Sequence, residues 1–255
     1  MAGKAYKTRC IVLRKTKLGE KDLIVTMLDE SGALLRVVAK GARRPGGSYA
    51  ARLELFSIVD VMCAEGKSLD VVTSAKLADG SGLSEFGIEQ SACASVLAEL
   101  LSVLAQEGLP HDRLFPMASA AFQGIAREDP VDGLKLTCSA LLKALAYAGF
   151  RPSFVNCIAC GEPIENAAWE TVPFSTVEGG AVCLECPRPS DSVHIDAEVL
   201  RWCDALMRSR FEDVLAYEPD LGTLFSVLQL AQQWTRAHVG KNLKSLDFLF
   251  TAGLF

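Results

Sequence analysis

The sequence of 255 residues predicts an α+β chain with a β-rich N-terminal part and a mostly α-helical remainder. Apolar residues follow a period of two up to about residue 80, and a period near 3.6 after it. A third observation is the segment 154–191, which is rich in Gly and Pro and contains two close cysteine pairs. We therefore expect a domain over residues 1–80, a helical domain over residues 81–255, and an insertion over residues 154–191 within it.

Five short strands are expected in the first domain, over residues 6–14, 23–29, 34–39, 53–63 and 69–75. Ser31-Gly32 and Glu65-Gly66 supply turn signals between them. Five short strands without a long helix suit the OB-fold, a five-stranded barrel whose face and loops bind oligonucleotides. Other small barrels would give the same pattern.

Helices are expected after residue 80, over residues 88–106, 113–126, 130–147, 197–209, 211–217 and 221–239. The candidate N-cap residues are Ser84, Asp129, Asp196 and Asp220. Cys93 and Cys138 fall on apolar helix stripes, which indicates small core residues rather than reactive thiols. The apolar tail after residue 239 is expected to dock on the body.

Charge is distributed very unevenly along the chain. Residues 1–60 contain twelve Lys and Arg against six Asp and Glu, a net charge of +6. The remaining residues contain fourteen basic and twenty-five acidic side chains, a net charge of −11. This asymmetry points to a polyanion partner at the N-terminal end.

The segment Lys40–Arg52, KGARRPGGSYAAR, is expected to be a loop because its glycines and proline exclude a regular element. It contains four cations and Tyr49. Cations that follow phosphates and an aromatic ring that stacks on bases suit single-stranded nucleic acid. The alternative is a solvated loop whose charges serve solubility, and Tyr49 is as compatible with core packing or loop anchoring as with stacking.

Two CxxC pairs, Cys157/Cys160 and Cys183/Cys186, are separated by 22 residues. Four thiolates satisfy tetrahedral Zn²⁺ and leave no open position, so we predict one structural zinc ion per chain, with free thiols or disulfides as the alternative. The segment AWETVPFSTVEGGAVC is expected to form a hairpin between the pairs, with its turn at Glu178-Gly179-Gly180. Neither pair follows a strand in a βαβ unit, which argues against thiol redox chemistry.

Nothing in the sequence argues for an enzyme. The motifs GxxxxGK[ST], GxSxG and HExxH do not occur, and the three histidines are far apart in the chain. No run of eighteen apolar residues is free of charge, and the first ten residues lack an apolar signal core. We therefore expect a cytoplasmic protein without catalytic residues.

Several segments together resemble bacterial RecO-type recombination mediators. In chain order they are CIVLRKTKLGEKDLIVTMLDESGALLRVVAKGAR, SYAARLELFSIVDV, GFRPSF, the pairs CIAC and CLEC, and HVGKNLKSLDFL. The resemblance implies an OB-fold followed by a helical domain with a four-cysteine zinc element. It also implies a nucleoid-associated role in DNA repair and recombination: binding single- and double-stranded DNA, annealing complementary strands, and helping to load the recombinase.

The same resemblance implies partners and site residues. The partners are RecR and the acidic, apolar C-terminal tail of the single-stranded-DNA-binding protein. The implied DNA-binding residues are Arg9, Arg14, Lys17, Lys21, Arg36, Lys40, Arg43, Arg44 and Arg52, to which the loop adds Tyr49. The implied metal ligands are the four cysteines, and the candidates for the partner tail are Arg236, Lys241 and Lys244.

Three other functions remain open at this point. An RNA-binding OB-fold would carry the same cations. A zinc-stabilised adaptor would use its basic face to contact an acidic protein. A nuclease is disfavoured because no carboxylate cluster has the spacing of a catalytic metal site.

Overall fold

The computed structural model describes residues 4–44, 49, 52–78, 86–164 and 170–255. By compactness the chain divides into two units, Met1–Arg127 and Glu128–Phe255. The sequence pattern instead placed the boundary where strands give way to helices, near residue 80. That boundary stays a prediction, because the change of secondary structure and the limit of a compact unit are different criteria.

The first unit contains a closed five-stranded barrel, which confirms the predicted fold of this region. Its strands are β1 (Ala5–Leu18), β2 (Asp22–Asp29), β3 (Leu34–Ala39), β4 (Ile58–Ala64) and β5 (Asp70–Leu77). They close in the order β1-β2-β3-β5-β4, with a short parallel contact between β3 and β5 and antiparallel pairing elsewhere. The interior is filled mainly by small and branched residues such as Cys10, Val12, Val37 and Val61.

The barrel depends on a register shift in its first strand. Between Val12 and Arg14 the pairing of β1 with β2 shifts by one residue. Before the shift, Cys10 and Val12 point into the core, and after it Arg14 is exposed. A bulge of this kind increases strand twist and bend, which allows β1 to pair with β4 through its first half and with β2 through its second.

Two helices complete the first unit, α1 (Ile88–Leu104) and α2 (Leu114–Arg127). Helix α1 packs against β1 and β2. Its N-cap is Gly87 rather than the predicted Ser84, which lies outside the described residues. The fourth strand begins at Ile58 and not at Leu53, because Phe56 adopts a positive φ of 67° that interrupts an extended chain.

The second unit is mostly helical, as predicted. Its helices are α3 (Pro130–Tyr147), α4 (Ala197–Arg208), α5 (Phe211–Leu215), α6 (Leu221–Val239) and α7 (Lys244–Thr251). Asp129, Asp196 and Asp220 cap the N-termini of α3, α4 and α6, each accepting backbone N–H bonds in the first turn. Helix α7 falls in the tail that was predicted to dock without an assigned structure.

A small sheet lies between α3 and α4 and includes β6 (Thr171–Ser175), β7 (Gly180–Ala181) and β8 (Val193–Asp196), in the order β7-β6-β8. Strands β6 and β7 form the hairpin predicted between the cysteine pairs, with Glu178 and Gly179 in its turn. Strand β8 was not expected from the sequence.

Candidate nucleic-acid interface and metal centre

Strands β1, β2 and β3 share an outward surface that carries two arginines. The cross-strand register places Arg14 opposite Thr26, and Thr26 opposite Arg36. The next outward row consists of Thr16, Ile24 and Val38. We call the six outward residues that surround Thr26 the β2–β3 wall: Arg14, Thr16, Ile24, Arg36, Val38 and Lys40. Cations flank partly exposed apolar side chains there, an arrangement that fits a phosphate backbone and bases.

The turn between β1 and β2 adjoins one end of this wall and adds further cations. Arg43 Nη1 donates to the carbonyl oxygens of Gly19 and Glu20, both at 3.0 Å. The Arg43 backbone N–H donates to the carbonyl of Lys21 at 3.0 Å, and the Gly41 N–H donates to Asp22 Oδ1 at 2.7 Å. The turn and the segment after β3 are therefore held together, and part of the donor capacity of Arg43 is already used.

Other cations of this region have no such bonds. Among the described residues, no hydrogen bond or ion pair engages the side chains of five exposed residues: Arg14, Lys17, Lys21, Lys40 and Arg44. Arg36 lies 3.6 Å from Glu107, with both side chains about half exposed. An exposed pair of this kind contributes at most about 1 kcal/mol, so a phosphate can compete for Arg36.

Arg9 lies on a different part of the barrel. It pairs across β1 and β4 with Asp60, through bonds of 2.8 Å from Nε and 3.2 Å from Nη2. The structure therefore does not bring Arg9 together with Arg14 and Arg36. The alternation that makes all three exposed is visible in the sequence, whereas the strand partner of each one is not.

Tyr49 and Arg52 both contact the fifth strand. Tyr49 is half-buried against the barrel core, and its hydroxyl donates to the carbonyl of Thr73 at 2.9 Å. Arg52 Nη1 donates to the carbonyl of Ala75 at 3.3 Å. These contacts agree with the loop-anchoring alternative for Tyr49, while its predicted stacking role stays a prediction. The remaining predicted loop residues, 45–48, 50 and 51, lie outside the described part of the chain.

The four cysteines of the insertion lie together. All four Sγ atoms are within 4.8 Å of one another, and those of Cys160 and Cys183 are 3.9 Å apart. Sulfurs that share a tetrahedral zinc ion at about 2.3 Å lie about 3.8 Å from each other. The geometry and the all-thiolate donor set therefore fit the predicted metal.

Backbone geometry prepares this cluster for a cation. The Cys183 N–H donates to Cys157 Sγ at 3.3 Å, and the Gly161 N–H donates to the Cys157 carbonyl at 2.8 Å. Burial raises the pKa of Cys157, but the backbone N–H groups of Cys183, Cys160 and Ala159 outweigh it and lower the pKa to about 6. Amides that point at a sulfur stabilise the thiolate, which is the form that binds metal.

The insertion is attached to α6 through aromatic contacts. The ring of Phe174 lies 5.8 Å from that of Trp234, and Trp234 lies 4.3 Å from His238. His238 Nε2 is 2.7 Å from the carbonyl oxygen of Thr176, and Trp234 Nε1 donates to the Phe150 carbonyl at 2.9 Å. His194, in contrast, is exposed on β8 and belongs to no metal cluster among the described residues.

The residues predicted to bind the partner tail follow one another around the corner between α6 and α7. Arg236 is on the last turn of α6, Lys241 is in the connection, and Lys244 begins α7. Gln232 braces this corner, since its Nε2 donates to the Leu243 carbonyl and to Asp247 Oδ1, both at 3.1 Å. All three cations are exposed.

Sequence reasoning missed two buried lysines on α3. Lys143 Nζ donates to the carbonyls of Leu206 and Met207 at 2.6 and 3.2 Å, at the C-terminus of α4. Lys135 Nζ donates to the carbonyls of Leu215 and Tyr217, at the end of α5. Both ammonium groups thus satisfy carbonyls at helix ends, where a positive charge also complements the helix dipole. A lysine on an otherwise apolar helix face is the signal that would have revealed them.

Lys143 also donates to Ser139 Oγ at 2.8 Å, a pairing that resembles a nucleophile beside a base. Ser139 Oγ, however, donates its proton to the Leu206 carbonyl at 2.7 Å, and its side chain is buried. The contacts of this pair are structural.

Within the described ranges, no helix combines the length and hydropathy needed to cross a bilayer.

Comparison with protein families gives two matches that together account for most of the chain. Residues 1–81 match the family model described as recombination protein O N terminal. Residues 86–247 match the model described as recombination protein O C terminal. The two matches occur in the same order as the barrel and the helical, cysteine-containing part.

Proposed function

This chain belongs to the recombination protein O family, whose role is in DNA recombination and repair, and on that premise we propose a specific mode of action. The chain binds single- and double-stranded DNA through the β2–β3 wall and the cations at the adjoining turn. It anneals complementary strands and assists recombinase loading together with RecR. The observation that carries the proposal is the group of exposed cations on and beside this wall that have no partner among the residues that the structure describes.

The charges determine where DNA binds. Five cations of the barrel make no ion pair within the described part of the chain, although the whole protein is acidic. These side chains are available to attract DNA phosphates, and the release of counterions from the DNA makes binding more favourable. Acidic residues elsewhere disfavour DNA, so binding is concentrated on the barrel.

Annealing requires no covalent step in this mechanism. Two complementary strands repel each other through their phosphates, and cations that neutralise part of that charge lower the barrier to pairing. Arg14, Arg36 and Lys40 act on the wall, while Lys17 and Arg44 extend the positive surface around the turn. Arg43 holds that turn in place through its bonds to two carbonyls.

We propose that the four cysteines bind one structural Zn²⁺. A closed thiolate shell links the two CxxC pairs and stabilises the fold of the insertion without activating water. The contacts of Phe174 with Trp234, and of Thr176 with His238, connect that fold to α6.

The proposal includes two protein partners. RecR acts with this chain in loading the recombinase. The corner between α6 and α7, with Arg236, Lys241 and Lys244, is the candidate site for the acidic tail of the single-stranded-DNA-binding protein. An exposed aromatic residue, Phe248, lies one helical turn from Lys244 and offers an apolar contact beside these charges.

The experiment that tests the proposal measures single-stranded DNA affinity and strand annealing over a range of salt concentrations. About five phosphate contacts predict a log–log salt slope near −3.5. The variant Arg14→Glu/Arg36→Glu should lose affinity and annealing, while its melting temperature stays close to that of the wild type. Wild-type protein that neither binds nor anneals DNA at moderate salt would refute the proposal.

Two control reactions separate this function from the alternatives. Competition with RNA of the same sequence should leave most of the DNA bound, and a strong RNA preference would indicate an RNA-binding protein. Labelled DNA incubated with the protein and Mg²⁺ should stay intact, and protein-dependent cleavage would indicate a nuclease.

A further inference from the structure

The barrel has a second outward wall, formed by the first half of β1 together with β4 and β5. In the closed order β1-β2-β3-β5-β4, strand β1 lies between the pairs β2–β3 and β4–β5 on one side, and the two pairs adjoin on the other side only through the short contact between β3 and β5. The register shift after Val12 separates the two outward surfaces along β1. Side chains on one wall therefore cannot join those on the other in a single flat surface.

The second wall is defined by two cross-strand rows. Lys7, Met62 and Ser74 form one row, and Arg9, Asp60 and Lys76 form the other. We call these six residues the β4–β5 wall. It contains three cations and a single acid, and Met62 is 42% exposed between them. Lys67, in the turn that joins β4 to β5, is also exposed, as is Lys4, whose backbone carbonyl accepts from the Glu65 N–H of that turn at 3.1 Å.

The lowered pKa of Asp60 is evidence of positive electrostatic potential at this wall. A hydrogen bond from Arg9 lowers the pKa of Asp60 most, and the charges of Arg9, Lys7 and Lys76 lower it further. Cations from both neighbouring strands thus converge on one carboxylate, which neutralises only part of their charge. The exposed methionine in the adjacent row provides an apolar surface of the kind on which a base can rest.

We propose that the β4–β5 wall is a second binding site for single-stranded DNA, which holds the complementary strand while the first strand occupies the β2–β3 wall. This inference rests on the proposed annealing function. It assigns a role to Arg9, Lys7 and Lys76, which the first wall cannot use. Single-stranded DNA is the occupant because the wall offers positive charge for phosphates and an exposed apolar side chain, Met62, for a base.

The physical advantage of two sites on one barrel is proximity. Two strands bound to the same small domain meet at an effective concentration in the millimolar range, well above that of free strands. Segments of the two strands that extend past the barrel form base pairs first. As the duplex grows, both strands dissociate from their walls. Modest affinity at the second wall suits this exchange, because a tightly held strand would resist release.

The test compares binding stoichiometry with annealing rate. An oligonucleotide of about ten nucleotides fits the site size of one OB-fold. Wild-type protein should bind two such oligonucleotides per chain at low salt. Lys7→Glu/Lys76→Glu should bind one, keep the affinity of the tighter site, and anneal about tenfold more slowly.

Two further variants complete the design. Asp60→Asn removes the only acid of the wall and should strengthen the weaker site about two- to fivefold. Arg201→Glu/Arg210→Glu, two exposed residues of the second unit, makes the same change in net charge and should anneal like the wild type. Melting curves of all variants verify the fold.

The outcomes distinguish this inference from the function on which it rests. One bound oligonucleotide per wild-type chain, with normal annealing by Lys7→Glu/Lys76→Glu, would overturn the second site and leave the proposed function intact. Wild-type protein that binds no DNA would refute the proposed function itself.

Discussion

Arg43 Nη1 donates a hydrogen bond of 3.0 Å to the backbone carbonyl oxygen of Gly19, and the same nitrogen reaches the next carbonyl, that of Glu20. Arg44, its immediate neighbour in the chain, is exposed and makes no hydrogen bond or ion pair with any described residue. These two adjacent arginines therefore have different roles. Arg43 holds the turn between β1 and β2 in place, whereas the Arg44 side chain has no partner among the described residues.

This difference gives a matched pair of variants. Arg43→Gln should lower the free energy of unfolding by about 1 kcal/mol, because two carbonyls lose their donor. Arg44→Gln should change it by less than about 0.5 kcal/mol. In DNA titrations Arg44→Gln should reduce the salt slope by about 0.7, the value for one phosphate contact on single strands. Equal effects of both variants on stability would contradict the assignment.

The cysteine cluster predicts about one zinc ion per chain, measured by elemental analysis. Cys157→Ser should lose the metal and destabilise the second unit, because metal binding and folding are coupled in closed sites. Cys203→Ser tests whether any cysteine change has this result, since Cys203 is buried in α4 and outside the cluster. The Cys203→Ser variant should keep its zinc ion. Loss of zinc from this variant would contradict the ligand assignment.

His238 connects α6 to the hairpin of the insertion through the Thr176 carbonyl, at 2.7 Å. His238→Ala should cost about 1 kcal/mol and speed the removal of zinc by a chelator, because the insertion loses one of its attachments. His194→Ala is the control, since His194 is exposed on β8. Identical chelation rates for His238→Ala and the wild type would show that this attachment does not support the metal site.

Gly32 lies in the turn between β2 and β3, with φ of +81°, and a Cβ there would be 1.9 Å from the His111 carbonyl oxygen. Gly32→Ala should therefore destabilise the protein by more than about 2 kcal/mol in denaturant titrations. Gly108→Ala has a similar φ of +71° but open space around it, and should cost only about 1 kcal/mol. Equal losses would show that the close approach to His111 is relieved at little cost.

Burial lowers the pKa of Lys143 to about 8, so the folded protein binds this proton less tightly than the unfolded chain does. The contribution of Lys143 to stability should therefore rise as pH increases from about 8 to 10.5. Relative to Lys143→Met, the wild type should gain about 1 to 3 kcal/mol over this interval in denaturant titrations at each pH. A difference that is constant with pH would mean that Lys143 stays charged throughout.

Much of the fold was predictable from local pattern. Asp129, Asp196 and Asp220 cap the helices that they were expected to cap, because a short acceptor before an apolar periodic run is a local signal. The four-cysteine site was also predictable, because two CxxC pairs supply the four thiolates that a tetrahedral zinc ion needs. The four sulfurs do lie together.

What the pattern did not predict depends on contacts between distant residues. The fourth strand begins five residues late because Phe56 turns the chain and stacks on Phe122 at 5.5 Å. Helix α7 was not assigned because it has only eight residues, and its position depends on Gln232 of α6, whose side-chain amide donates to the Leu243 carbonyl and to Asp247. Alternation showed that Arg9 is exposed, but only the pairing with β4 placed it beside Asp60.

The register shift between Val12 and Arg14 has a consequence for anyone who aligns or redesigns this barrel. Positions before it face the interior when even-numbered, whereas beyond it the parity is reversed. Deleting Leu13 would remove the bulge, and the pairs Val12–Met27 and Arg14–Thr26 would then follow each other as a regular ladder, with Arg14 still facing outward. A strand shorter by this one residue would keep its basic outward surface but would lose the additional bend and twist with which β1 passes from β4 to β2.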